Sequence, residues 1–151
     1  MTVKDFSVSG DVAMVTGSSK GIGRAIVERF AANGVDVVVT SRDADRVESI
    51  AAEINESDAP GQAIGVPCDV REWETIEALV ETTEDRLGPV DILVNNAGAS
   101  FESPTVELSQ NAWQTIIDIN LNGAFNCARI VGERMIENGG GTIINVSSVA
   151  G

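Results

Sequence analysis

Histidine and tyrosine are both missing from the chain, so neither of two common proton-transfer side chains is available. Cysteine occurs twice, at Cys68 and Cys127. Two thiols cannot build a disulfide framework, and such sparse use suits a reducing cytoplasm. No apolar run reaches the roughly 18 residues of a membrane span, and the stretch 1–7 lacks the apolar h-region of a secretory signal. A cytoplasmic location with no membrane partner is expected, and no metal site. Cations are scarce as well: 10 Lys and Arg stand against 23 Asp and Glu, a formal charge of −13. So acidic a surface repels phosphate backbones, which excludes general nucleic-acid binding. Only two of the cations are lysines, Lys4 and Lys20. Excess acid with few lysines suits concentrated salt, where self-repulsion is screened; a mildly acidic cytosolic enzyme is the alternative.

What is present describes a globular α/β chain. Apolar residues make up 43% and charged residues 22% of 151 residues, enough for the core of a single domain. Stretch 12–16 reads as a buried strand, followed by a Gly-rich turn, a helix over about 22–33 and a closing Gly34. Stretch 35–40 is a second, β-branched strand. Val47, Ile50, Ala51 and Ile54 share one helix face. Stretch 63–68 is a third strand, placed at a sheet edge by Pro67. Asp69 to Glu72 reads as an N-cap with its capping-box glutamate, leading into a helix whose face is Trp73, Ile76, Leu79, Val80 and Leu87. A fourth strand at 90–94, a long helix from near Ser109 to Glu137, a triple-glycine break and a fifth strand at 142–146 complete the pass. Five strands separated by helices predict a doubly wound parallel sheet of order 3-2-1-4-5, with helices on both faces. Ligands of such sheets bind past the carboxyl ends of the strands, at the switch point between the first and fourth.

The motifs fall at those ends. Thr16-Gly17-Ser18-Ser19-Lys20-Gly21-Ile22-Gly23 joins the first strand to the first helix. Its glycines suit a tight turn, close approach of a pyrophosphate and close helix–strand packing, and the helix N-terminus offers free N–H groups to phosphate. A P-loop is ruled out because Lys20 precedes Gly21 and no Gly-Lys-Ser/Thr occurs. The second strand ends Thr40-Ser41-Arg42, without the acid that would accept hydrogen bonds from a ribose 2′-OH. Arg42 can pair with the oxygens of a 2′-phosphate, and Lys20 adds a second cation, which selects NADP over NAD. The alternative is that Arg42 merely solvates a loop beside Asp43 and Asp45.

The spacing Gly-x-x-x-Gly-x-Gly resembles that of the short-chain dehydrogenase/reductase family, and four further stretches carry the resemblance. They are Asp69 after the third strand, Asn95-Asn96-Ala97-Gly98 at the end of the fourth, Asn120 within Ile-Asp-Ile-Asn-Leu-Asn-Gly, and Ser148 within Ile-Asn-Val-Ser-Ser-Val-Ala-Gly. The resemblance implies cofactor contacts from Thr16, Gly17, Ser19, Lys20, Gly21, Ile22 and Gly23, from Ser41 and Arg42, from Asp69 and Val70, with Asp69 near the adenine, and from Asn96, Ala97 and Gly98. It further implies hydride transfer between nicotinamide and a carbonyl or secondary alcohol, of the 3-oxoacyl reductase or sugar/alcohol dehydrogenase kind. Ser148 would hydrogen-bond the substrate oxygen, Asn120 would hold a water of the proton relay, and the complete protein would be a homo-oligomer.

The family's Tyr-x-x-x-Lys pair would fall shortly after Ser148, past Gly151. Cys68 and Cys127 sit in strand and helix contexts that suit core packing and offer no replacement. The 151 residues therefore read as a single NAD(P)-binding domain cut short on its C-terminal side. They are expected to bind cofactor without turning over, with a bare fifth strand and a partly uncovered long helix. A non-catalytic dinucleotide-binding module is the alternative function.

Overall fold

Consecutive residues of the first strand face opposite ways, and the two sets end in two different cores. Ala13 and Val15 pack with Val27, Ala31, Val47 and Ile50 on one side of the sheet, whereas Met14 packs with Ile76, Leu79, Cys127 and Val131 on the other. The computed structural model describes residue 8 and residues 11–148. Within them lie β1 (Val12–Val15), α1 (Gly21–Ala31), β2 (Asp36–Ser41), α2 (Ala44–Asn55), β3 (Ala63–Pro67), α3 (Trp73–Arg86), β4 (Ile92–Asn95), α4 (Gln110–Ile117), α5 (Ala124–Glu137) and β5 (Thr142–Asn145). All strand pairs are parallel and their order is β3-β2-β1-β4-β5, the order expected. α1 and α2 cover one face; α3 and α5 cover the other. Both faces of the central strands are therefore buried, which is why they read as near-continuous, Val-rich apolar runs.

Four readings shift in detail. Asp69 does not cap α3: the N-cap is Glu72, without a side-chain cap bond, and the Asp69 carboxylate instead accepts from the Arg71 backbone N–H at 3.1 Å. The turn at 69–72 closes on itself before the helix begins, so the capping-box spacing is coincidental. Trp73 stands at the helix rim, where its Nε1 donates to Glu77, and it does not join the buried face of Ile76, Leu79 and Val80. The fifth strand ends at Asn145, one residue early. The long helix is continuous but contains a π-helical segment at Asp118–Gly123 between α4 and α5. Ser109 is its N-cap, accepting from Ala112 N–H at 3.1 Å. β5 is an edge strand with exposed Ile143 and Ile144, and Trp113, Leu121 and Phe125 on the long helix are exposed too. Among the described residues no helix is long and apolar enough to cross a membrane.

Candidate cofactor site

At the switch point the chain leaves β1 and β4 in opposite directions, and the two outgoing segments are laced together. Thr16 is the lace. Its Oγ1 accepts from the backbone N–H groups of Asn96 and Ala97 at 3.0 and 2.9 Å, and the Asn96 side-chain amide donates back to the carbonyls of Thr16 and Gly17. On the other flank Ser18 binds the end of β2: its N–H donates to the Thr40 carbonyl at 2.9 Å, and its Oγ accepts from Thr40 N–H at 2.9 Å. The Gly-rich turn is thereby fixed between the ends of β2 and β4.

The glycines have separable reasons. Gly17 has φ +65°, and a Cβ there would sit 2.9 Å from the Ala97 Cα. A Cβ on Gly23 would come within 2.5 Å of Asn96 Nδ2 and 2.6 Å of the Gly17 carbonyl, so helix and turn approach only because that side chain is missing. Gly21 has φ +56° and open space where a Cβ would point. α1 begins here with Lys20 as an N-cap that makes no side-chain cap bond, and no acid lies in the first turn. Its leading N–H groups and positive dipole end are left for a ligand.

A cavity of about 600 Å³ opens above this turn. Of the residues expected to contact a cofactor, Gly17, Ser19, Lys20, Gly21 and Ile22 line it from the turn. Ser41 and Arg42 line it from the end of β2, Asp69 and Val70 from the end of β3, and Asn96, Ala97 and Gly98 from the end of β4. Thr16 and Gly23 do not line it; they hold the turn that does. The sequence reading missed Arg46, which also lines the cavity and donates from Nε to the Ser19 carbonyl at 3.1 Å. Its signal was present: Arg46 lies one helical turn after Arg42, across the N-cap Asp43 that starts α2. The Asp43 carboxylate is used on Arg46 N–H as that cap and does not neutralise Arg42. Among the described residues no ion pair involves Lys20, Arg42 or Arg46. Thr40, also in the cavity wall, buries a hydroxyl without a protein partner.

The polar residues expected beyond the cofactor lie at the same end of the sheet. Asn120 sits in the π-helical segment, where its carboxamide clamps Ala99: Oδ1 accepts from Ala99 N–H and Nδ2 donates to the Ala99 carbonyl, both at 2.8 Å. Asn120 itself does not line the cavity, whereas Ala99 and Ile119 do. Ser148 follows β5 and is exposed. The carboxyl ends of β4 and β5 are tied by the buried Asn95, whose Nδ2 donates to Asn145 Oδ1 at 2.9 Å. Neither cysteine is poised for proton transfer. Burial raises the Cys68 thiol, and Cys127, wholly inside the core, is pushed up to about 12.

The fold is a doubly wound, Rossmann-type α/β sheet with its cavity at the switch point. The family model for short chain dehydrogenases matches residues 11–151, and the chain belongs to that family. It is 38% identical over 146 residues to D-threitol dehydrogenase of Mycolicibacterium smegmatis, an alignment covering 97% of this chain and 55% of that protein. It is 37% identical over 146 residues to the 3-oxoacyl-[acyl-carrier-protein] reductase of Synechocystis sp., covering 96% and 58%. The crystal structure of a gluconate 5-dehydrogenase from Burkholderia cenocepacia J2315, in complex with NADP and tartrate, superposes with a TM-score of 0.88 at 33% identity, covering 95% of this chain and 56% of that one. The chain spans little more than half the length of the curated relatives it matches.

Proposed function

We propose that the protein is an NADP-dependent oxidoreductase whose nicotinamide exchanges hydride with a carbonyl or secondary alcohol. The observation that carries the reading is the clustering of Lys20, Arg42 and Arg46 in one cavity wall, without ion-pair partners among the described residues, in a chain with ten cations against 23 acids. Cations without ion-pair partners on an acidic protein point to an anionic ligand, and three of them beside an uncapped helix N-terminus suit the phosphates of NADP better than those of NAD. Gly21, with open space above it, leaves room for the pyrophosphate, and Arg42 and Arg46 flank the place where a 2′-phosphate would enter.

In the same reading Ser148 donates a hydrogen bond to the substrate oxygen, which supports the charge that develops there. Asn120 orders the loop at Ala99 and, on this reading, would hold a water of the proton relay. Tyrosine and histidine are absent from these 151 residues and both thiols are buried. The second reading is a dinucleotide-binding module without turnover. A small-molecule substrate, self-association and a cytoplasmic location belong to the enzymatic reading. Titration of the protein with NADPH and NADH, followed by a panel of ketones, aldehydes and secondary alcohols, tests both. Tighter binding of NADPH together with cofactor oxidation by a carbonyl supports the enzyme, and binding without turnover across the panel supports the module. Equal affinity for the two cofactors contradicts the NADP assignment.

A further inference from the structure

Three asparagines of the chain are followed by glycine: Asn33-Gly34, Asn122-Gly123 and Asn138-Gly139. An asparagine so placed can react with its own backbone, because no Cβ on the next residue shields that residue's nitrogen from the carboxamide. All three asparagines are exposed, yet the structure holds them differently. Asn33 Nδ2 donates to the Arg29 carbonyl at 2.8 Å, and Gly34 N–H donates to the Ala31 carbonyl at 3.0 Å. The next residue, Val35, is fully buried, so this backbone is anchored on both sides. Asn122 lies in the π-helical segment, where its Nδ2 donates to Asp118 Oδ1 at 2.9 Å, and the buried Gly123 faces Val70. Asn138 differs at each point. It closes α5, its carboxamide has no hydrogen-bond partner among the described residues, and Gly139 N–H makes only a long bond of 3.3 Å to the Ile136 carbonyl. Gly139 and Gly140 stand at φ +95° and +138°, with open space where side chains would point.

We propose that Asn138 is a self-modification site, at which the Gly139 backbone nitrogen attacks the Asn138 carboxamide carbon while Asn33 and Asn122 stay intact in the folded protein. The nitrogen gives its proton to solvent hydroxide and bonds to Cγ. The Cγ–Nδ2 bond breaks, ammonia leaves, and a cyclic succinimide remains. Water then opens the ring, at Cγ to give aspartate or at the backbone carbonyl carbon to give isoaspartate; nothing is oxidised or reduced. Closing the ring needs rotation about ψ of Asn138, which stands at +6°, and release of the Gly139 N–H. Here that motion breaks one long hydrogen bond, and two glycines absorb the twist without meeting a side chain. At Asn33 and Asn122 it also breaks a side-chain bond and disturbs backbone set against the buried Val35 or against Val70. The product carboxylate sits at the negative end of the α5 dipole, beside Glu137. Isoaspartate further lengthens the turn leading into β5, at the end of the sheet opposite the cavity.

Peptide mapping by mass spectrometry reads the outcome. The folded protein is incubated in mildly alkaline buffer, and conversion at each Asn-Gly pair is followed beside a sample held in urea. The folded protein should convert Asn138 at least about tenfold faster than Asn33 or Asn122, the worth of about one hydrogen bond in local opening. In urea the three rates should draw together, because the protection is structural. Asn138→Gln, whose longer side chain would have to close a larger ring, should remove the acidic product that anion exchange separates from the parent. Comparable conversion at Asn33 or Asn122 in the folded protein overturns the proposal. So does an Asn138 that stays intact in the folded protein. A folded ranking that persists unchanged in urea overturns it too, since flanking sequence alone would then set the rates.

Discussion

Arg42 and Cys127 make opposite uses of the same physics, one a charge left in the open and the other a charge forbidden by burial. Replacing Arg42 with alanine should weaken NADPH binding by roughly ten- to a hundredfold, the worth of one charge-assisted contact of about 1.5–3 kcal/mol. NADH binding, measured in the same titration, should hardly change; equal weakening of both would remove the 2′-phosphate from this corner. Cys127 has a folded-state pKa raised from 9.0 to about 12 by burial, with Cys68 nearby adding to the rise. A raised acid pKa stabilises the fold below the unfolded value and ceases to do so as pH climbs through the folded one. Stability should therefore fall between about pH 9 and 12, by a few kcal/mol at roughly 1.4 kcal/mol per pH unit. Tyrosine, which would share this window, is absent, and the Cys68 thiol, also raised by burial, adds to the same decline. Urea unfolding from pH 8 upward should show the decline in the wild type and much less of it in Cys127→Ala. An equal decline in both would assign it to other groups.

The π-helical segment Asp118–Gly123 is the element that couples the long helix to the cavity. Gly123 has ordinary helical dihedrals, so alanine there should gain up to about 1 kcal/mol from propensity alone. A Cβ at that position, however, would lie 2.6 Å from Val70 Cγ2, and Val70 is a wall of the cavity. Overpacking of this kind costs about 1–3 kcal/mol and should win. Gly123→Ala is thus expected to destabilise the wild type and to cost much less in a Val70→Ala background, where the Cβ at 3.1 Å is all of that side chain left to meet, a difference readable from four denaturation curves. Parallel effects in the two backgrounds would show that Gly123 answers to something other than Val70. This segment also marks where the sequence stopped being legible. Order and type of the strands were readable because short, near-continuous apolar runs alternating with amphipathic helices report on a parallel sheet, and Pro67 rightly located the edge. The π turn left no trace, since one wide turn does not interrupt a helical pattern long enough to alter its period. Asp69 misled because a carboxylate can satisfy a nearby backbone N–H either as a helix cap or within its own turn, and the spacing to Glu72 fits both. The cavity's residues were legible through the family resemblance, but the division of labour among them was not. That Thr16 and Gly23 hold the turn while Gly17 and Gly21 face the cavity is a property of packing in three dimensions.

At the scale of the whole molecule the cations are unevenly spent. Three of the ten, Lys20, Arg42 and Arg46, line one cavity, and Arg24, Arg71 and Arg134 carry the ion pairs seen among the described residues. Among the described residues most carboxylates therefore have no cation partner, and their mutual repulsion opposes the compact state. Salt should relieve it. At 0.1 M the screening length of about 10 Å still allows neighbouring carboxylates to repel, whereas at 1 M it shrinks to about 3 Å and isolates them. The melting temperature is expected to climb as KCl is raised from low to molar concentration, and the climb should flatten once screening is complete. On the proposed reading the same salt weakens the hold of Lys20, Arg42 and Arg46 on cofactor phosphates, so NADPH affinity should fall over the range in which stability rises. Thermal melts and NADPH titrations along one KCl series read both trends on a single sample. A flat melting temperature would mean that the charge of −13 is tolerated without cost, and the high-salt reading of the composition would be abandoned. A rising melting temperature with unchanged affinity would retain that reading while removing the three cations from the phosphates, since a charge-assisted contact open to solvent cannot escape the screening that stabilises the rest of the surface.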